Sequence, residues 1–328
     1  MYFNEQRDLQ MKNILITGGA GFIGSHLVDR LLSEGYRVVV IDNLSLGLER
    51  NISHNLPNPN FTFIKGDVLD KPLMTRVFDD VKFDIVFHLA ANSDIARSHA
   101  DPSVDLNMTF MTTFSVLEQM RTHGVKKLMF ASTSAIYGNA KGIEVTETYA
   151  PLFPTSHYGA CKLASEGIIA SYCENYGFQA YITRFPNVCG ERTTHGVLHD
   201  FVKKLKKNPH QLTVLGDGKQ AKPYLYVKDL VDAILFVVRN SSEQINYFNL
   251  GVEGNTTVTH IAEMVISSMK LNAKICYTGG DRGWVGDVPL FRYNLDKIHR
   301  LGWKATLSSD EAVQKAIDYI LEVDLCNL

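Results

Sequence analysis

The chain has 328 residues, 45% of them hydrophobic and 21% charged, and 33 Lys+Arg against 35 Asp+Glu leave a net charge of −2. That length admits one large domain or two lobes sharing a core. The even charge balance gives no reason to expect a nucleic acid or an anionic membrane as partner, and no apolar run approaches a membrane span.

Residues 1–10 are polar, carry no signal-peptide core and read as an extension ahead of the first strand. Residues 12–17 are a short apolar run that reads as a buried strand. It ends at the glycine turn Gly18-Gly19-Ala20-Gly21-Phe22-Ile23-Gly24. Ile23, Leu27 and Leu31 then recur at helical spacing over 22–34. Strands follow at 37–41 (ending at Asp42), 61–65 and 84–89. A long helix is expected over 102–122, a strand over 126–131, a helix over 157–176 and a strand over 180–185.

Strands separated by helices imply a parallel sheet covered on both faces, an α/β doubly wound Rossmann fold. After Phe185 the pattern changes. Pro186, Pro209, Pro223 and Pro289 punctuate it. Short strands (212–215, 274–277) mix with helices (197–206, 227–238, 258–268, 310–321). The expected division is a dinucleotide-binding domain over 11–186 and a smaller mixed α/β lobe over 187–328, with a strand at 247–250 returning to the large sheet.

The glycines follow a strand and open a helix, the context a dinucleotide fingerprint requires. Gly18 makes the turn, Gly21 lets the backbone approach a pyrophosphate, and Gly24 lets the helix pack on the sheet. The spacing is GxxGxxG rather than GxGxxG. Asp42 lies 18 residues past Gly24, where a carboxylate accepts hydrogen bonds from an adenosine ribose. It would oppose a 2′-phosphate by roughly 4 kcal/mol per unit charge at about 4 Å and an effective dielectric near 20, so NAD is expected over NADP. Asp67 in Gly66-Asp67-Val68 can reach an adenine amino group. Ala90 and Ala91 in His88-Leu89-Ala90-Ala91 would let a cofactor lie close to the backbone, with His88 read as a packed strand residue.

Tyr158 and Lys162 are four apart on one helix face. A phenol with a pKa of about 10 is roughly 0.1% ionised at neutral pH. A neighbouring ammonium, and the positive nicotinamide ring, would lower that pKa and let Tyr158 act as a base. Thr133 falls at the end of the fifth strand, facing the ligand crevice. Cys161, Cys173, Cys189, Cys276 and Cys326 form no CxxC pair or Cys/His cluster. No metal site is expected, and reduced thiols in the cytoplasm are.

Thr17–Gly24, His88–Ala91, Ser132–Gly138 (STSAIYG), Tyr158–Lys162 and Arg184-Phe185-Pro186-Asn187 together resemble the extended short-chain dehydrogenase/reductase family, within it the nucleotide-sugar epimerase/dehydratase group. The resemblance implies a nucleotide-sugar 4-epimerase acting through a transient 4-keto sugar. Tyr158 would be the base, Lys162 would hold the nicotinamide ribose, and Thr133 would take the catalytic Ser/Thr position. The cofactor residues would be Gly18, Gly21, Phe22, Ile23, Asp42, Asn43, Asp67, Val68, Leu89, Ala90, Ala91, Tyr158 and Lys162. Substrate would contact Thr133, Tyr158, Asn187, Lys222 and Arg282, and the helices over 102–122 and 157–176 would form a homodimer.

Two departures qualify the resemblance. The 4,6-dehydratases carry an Asp-Glu pair after the catalytic threonine, and here those positions are Ser134 and Ala135. Where many relatives have Thr-Arg-Asp, this chain has Gln220-Ala221-Lys222-Pro223, so the charge stays without the bidentate fork. Arg282 in Asp281–Asp287 resembles a second diphosphate arginine, and Trp284 beside it reads either as a stacking surface or as a loop anchor. A nucleotide-sugar dehydrogenase or reductase that releases its cofactor is the alternative, a 4,6-dehydratase a weaker one.

Overall fold

The structure, a computed structural model, describes residues 12–93, 95–140, 142–280, 288 and 290–326. Packing divides the chain into two units. One gathers Met1–Ile136, Ser156–Arg184 and Val231–Phe248; the other gathers Tyr137–Thr155, Phe185–Leu230 and Asn249–Leu328.

The first unit is built on a seven-stranded parallel sheet. Its strands are β1 (Asn13–Thr17), β2 (Arg37–Asp42), β3 (Phe61–Lys65), β4 (Ile85–His88), β5 (Lys127–Thr133), β6 (Gln179–Phe185) and β7 (Ile245–Asn249). Their spatial order is 7-6-5-4-1-2-3. The order reverses between β1 and β4, which pair Thr17 with His88, and a doubly wound sheet binds its ligand at such a switch point. The carboxyl ends of these strands therefore bring Thr17, Asp42, His88 and Thr133 to one edge.

Local chemistry sets the helices between the strands. Helix α1 (Phe22–Ser33) turns Leu27, Val28, Leu31 and Leu32 inward. Helix α2 (Lys71–Asp80) starts at Asp70, whose carboxylate accepts the Leu73 N–H at 3.0 Å. The short α3 (Ile95–Ala100) leads to α4, which is α-helical over Ser103–Asp105, π-helical over Leu106–Met111 and α-helical again over Thr112–Thr122. The helix expected over 102–122 is thus interrupted by a π-helical turn. Helix α5 (His157–Tyr176) is capped by Ser156, which accepts the Gly159 N–H at 3.1 Å, and ends at Gly177 in the left-handed region, φ +64°. Leu15, Val39, Ile41, Val86, Phe130 and Ile182 of the sheet meet Met74 and Phe78 of α2, Val116, Leu117 and Met120 of α4 and Ile169 of α5 in one buried core. Each such side chain contributes about 1.5–3 kcal/mol.

A buried ion pair ties α5 down. Glu166 accepts Arg184 Nε–H at 3.0 Å on one oxygen and Arg184 Nη2–H at 2.6 Å on the other, and Ser132 Oγ donates to it at 2.5 Å. Both charged side chains are over nine-tenths buried. The pair spans β5, α5 and β6, and removing one partner would leave an uncompensated charge inside.

The second unit is a set of two-stranded ladders with helices. Asn187–Cys189 runs parallel to Tyr224–Tyr226, and Gln211–Val214 parallel to Lys274–Tyr277. Ala221–Lys222 pairs antiparallel with Thr256–Thr257. Helices Val197–Lys207, Val258–Ser268 and Ser309–Cys326 accompany them. Tyr293 packs edge to face on both Tyr137 and Phe291, which are tilted against each other, and the Tyr137 hydroxyl donates to the buried Asn249 at 2.6 Å.

Candidate active site

Two of the three spaced glycines in the turn have a steric reason within the fold, and the third faces open space. Gly18 sits at φ +73°, and a Cβ there would lie 2.7 Å from Ala90 N. A Cβ on Gly24 would collide with Gly18 O. On Gly21 it would meet only Gly18 O at 3.2 Å, so the space over this residue is otherwise open. Gly21 is also the N-cap of α1, and no side chain caps that end. An open cradle beside uncapped amides is what a pyrophosphate needs.

Asp42 is buried at the end of β2. Its carboxylate accepts the Ala20 N–H at 3.0 Å and the Leu44 N–H at 2.8 Å. Burial raises its pKa, and those two amides oppose the rise. Asp42 thus braces the glycine turn while each oxygen keeps a second lone pair. Asn43 Nδ2 donates to Asp67 at 2.8 Å, bridging the ends of β2 and β3. Val68 is buried, and its carbonyl accepts Ser115 Oγ at 2.6 Å. Leu89, Ala90 and Ala91 are half-buried just past β4. Phe22 and Ile23, also half-buried, form the first turn of α1.

A hydrogen-bond chain runs behind Ala90. The Ala90 N–H donates to Thr17 Oγ1 at 3.3 Å, which sits 2.7 Å from His88 Nδ1. His88 Nε2 lies 3.1 Å from Thr113 Oγ1, whose own proton goes to Thr109 O at 2.9 Å. With Thr113 so engaged, Nε2 is the donor and Nδ1 the acceptor from Thr17. Burial first, and Lys162 second, push His88 down to about 3, so it stays neutral as a fixed bridge.

Thr133, Tyr158 and Lys162 come together in the first unit. Gly159 permits this, because a Cβ there would stand 2.6 Å from Ala135 O. Helix α5 therefore comes up against the turn that follows β5. Thr133 Oγ1 accepts the Ala135 N–H at 3.1 Å and shares a hydrogen bond with the Tyr158 phenol. Lys162 is 2% exposed. Its Nζ donates to Ala131 O at 2.7 Å, lies 4.6 Å from the Phe130 ring centroid and 5.9 Å from that of Tyr158.

Burial is the largest electrostatic influence on both Tyr158 and Lys162. Burial raises the phenol's pKa most, the charge of Asp105 raises it further, and only the Thr133 hydrogen bond lowers it. Lys162 itself is pushed down to about 7 by burial, against the favourable charges of Asp105 and Glu166. No local signal singles out Asp105, which sits where α4 passes into its π-helical turn. The Lys162 ammonium donates to a strand carbonyl and lies over the Phe130 ring.

Asn187 and Lys222 both lie in the second unit. Asn187 is exposed and pairs across its ladder with Tyr224, two residues beyond the half-buried Lys222. Arg282 and Trp284 lie outside the described residues. Among the described residues no helix is long and apolar enough to cross a membrane.

The family model for the NAD dependent epimerase/dehydratase family matches residues 14–251. The chain belongs to that family. A crystal structure of UDP-galactose 4-epimerase is 37% identical to it, with a TM-score of 0.84 over 95% of this chain and 99% of that one. The Thermotoga maritima UDP-glucose 4-epimerase, solved with UDP-glucose, is 32% identical, with a TM-score of 0.85 over 95% and 99%. A dTDP-D-glucose 4,6-dehydratase of Mus musculus is 31% identical, over 94% of this chain and 88% of that protein. The family is NAD-dependent, and the open cradle at Gly21, the uncapped α1 and the Asp42 carboxylate fit that cofactor.

The two glycines separate fold from ligand. Gly24→Ala is expected to lower unfolding free energy by about 2 kcal/mol or more. Gly21→Ala should cost only about 1 kcal/mol of stability yet weaken NAD binding by roughly tenfold or more. Denaturant titration and calorimetric NAD titration check the pair; a Gly21→Ala protein that binds NAD as tightly as wild type would contradict the assignment of the cradle.

Proposed function

We propose that this chain is an NAD-dependent nucleotide-sugar 4-epimerase, which inverts C4 by way of a transient 4-keto sugar. The observation that carries the reading is the grouping of Thr133, Tyr158 and Lys162 beside Ser134 and Ala135. The grouping supports oxidation and reduction at a carbinol. The two small residues offer no acid/base couple for the loss of water that the dehydratase relative's name describes.

In this reading NAD, when bound, supplies the hydride acceptor and donor, so there is no net redox change. Gly18, Gly21, Phe22 and Ile23 would face its pyrophosphate, Asp42 and Asn43 the adenosine ribose, Asp67 and Val68 the adenine, and Leu89, Ala90 and Ala91 the middle of the molecule. Tyr158 takes the proton from the sugar 4-hydroxyl and later returns it. Thr133 hydrogen-bonds the phenol and orients the same hydroxyl. Lys162 holds the nicotinamide ribose and supplies positive charge. Burial and Asp105 raise the phenol's pKa, and the Lys162 ammonium together with the cofactor's positive ring would lower it. Asn187, Lys222 and Arg282 would hold the nucleoside diphosphate.

A homodimer belongs to this reading. Helix α4 exposes Leu106 (50%), Met111 (36%) and Phe114 (37%), a run of large apolar side chains that a second copy would cover. Sedimentation at micromolar concentration is expected to show a dimer; a monomer there would contradict it.

The enzyme is expected to interconvert C4 epimers of a UDP-, dTDP-, GDP- or CDP-sugar with no net NADH, as followed by proton NMR. Tyr158→Phe should cost about 10²–10⁴ in turnover. A 4-keto-6-deoxy product, or stoichiometric NADH, would overturn the reading.

A further inference from the structure

Helix α4 carries a carboxylate that the mechanism above does not use. Asp105 is 0% exposed. Its Oδ1 accepts Asn92 Nδ2 at 3.1 Å and Thr109 Oγ1 at 3.0 Å. Its Oδ2 is buried with no hydrogen-bond partner among the described residues. A buried carboxylate with a bare oxygen is costly unless a positive charge compensates it. The π-helical turn directly after it packs against α5, and single π turns inside helices are frequent at functional sites.

What Asp105 acts on forms one stripe. Its charge reaches Tyr158, Cys161 and Lys162, residues i, i+3 and i+4 on a single face of α5. The compensating cation on that stripe is Lys162, itself buried with only a carbonyl oxygen as its hydrogen-bond acceptor. The other groups around it are accounted for. Glu166 on α5 is paired to Arg184 of β6, His88 of β4 is neutral, Cys161 is held as a thiol by burial and then by Asp105, and Arg97 and His99 of α3 are exposed.

We propose that Asp105 is a positioning residue whose buried carboxylate keeps Lys162 an ammonium and Tyr158 a protonated phenol until a cationic cofactor ring arrives, and so fixes the pH window of the reaction. The proposal deepens the 4-epimerase reading and rests on it for its functional meaning. The sign follows from the charges. Lys162 titrates near 7 with Asp105 and Glu166 both favouring its charged form, so neutralising Asp105 moves that midpoint down. Asp105 also raises the phenol, so its loss lowers Tyr158 as well. Both limbs of the pH–rate profile move to lower pH.

The test is an NMR titration of purified protein labelled with ¹³C and ¹⁵N in lysine, the Lys162 signal being assigned by its absence in Lys162→Arg. In Asp105→Asn the Lys162 midpoint should fall by at least about half a pH unit, Asp105→Glu should restore it, and the kcat/KM profile should move in the same direction. Asp105→Ser, also neutral and smaller, gives the same reading if the asparagine variant does not fold. A midpoint that stays in place or rises overturns the proposal, even if the protein epimerises sugars. A midpoint that falls in a protein that turns over no nucleotide sugar upholds the electrostatics and refutes the epimerase reading. A purely structural role would lower activity at every pH without moving either midpoint.

Discussion

The arrangement depends on burying one ammonium. Lys162, at 2% exposure, has left water for the Ala131 carbonyl and the face of Phe130. Unaided, that transfer costs several kcal/mol. Much of the surrounding structure offsets it. Asp105 and Glu166 supply opposite charge, and Glu166 is held by Arg184 and Ser132. Gly159 lets α5 approach the turn after β5 closely enough for Lys162 to reach a strand carbonyl. Burial still pushes the lysine's pKa down, and its charge is therefore sensitive to whatever binds beside it.

The same edge of the sheet carries the cofactor elements for a topological reason. Parallel strands place their carboxyl ends together, and the order reverses between β1 and β4. Thr17 and His88 meet at that reversal, and their hydrogen bonds fix the Ala90 backbone against which Gly18 packs. Asp42 braces the other side of the turn through Ala20. A flexible glycine loop is thereby held rigid without any side chain entering the space above Gly21.

Much of this was legible in the sequence because its signals are local. The strands at 61–65 and 274–277 and the helices at 157–176 and 258–268 follow from their apolar patterns, and their observed bounds agree to the residue. Other elements end one to five residues from the expected positions, since fraying and last-turn geometry carry little signal. Helix α2 was not foreseen: its ten residues bury only Met74, Val77 and Phe78, too few for a clear period. The π-helical turn in α4 and the role of Asp105 are long-range properties. An acid in a helix reads as surface until the packing that buries it is known. In the same way, i,i+4 spacing puts Lys162 on the right face but does not say where its ammonium ends up. The interleaving of segments between the two units likewise depends on contacts far apart in the chain.

The account holds that a proton moves through Tyr158 while the C4 hydrogen never leaves the protein. A nucleotide sugar carrying deuterium at C4, turned over in ordinary water and followed by deuterium NMR and mass spectrometry, tests this most directly. The label should remain on C4 of the inverted product through many turnovers. Its loss to solvent, or its appearance in free cofactor, would contradict the account.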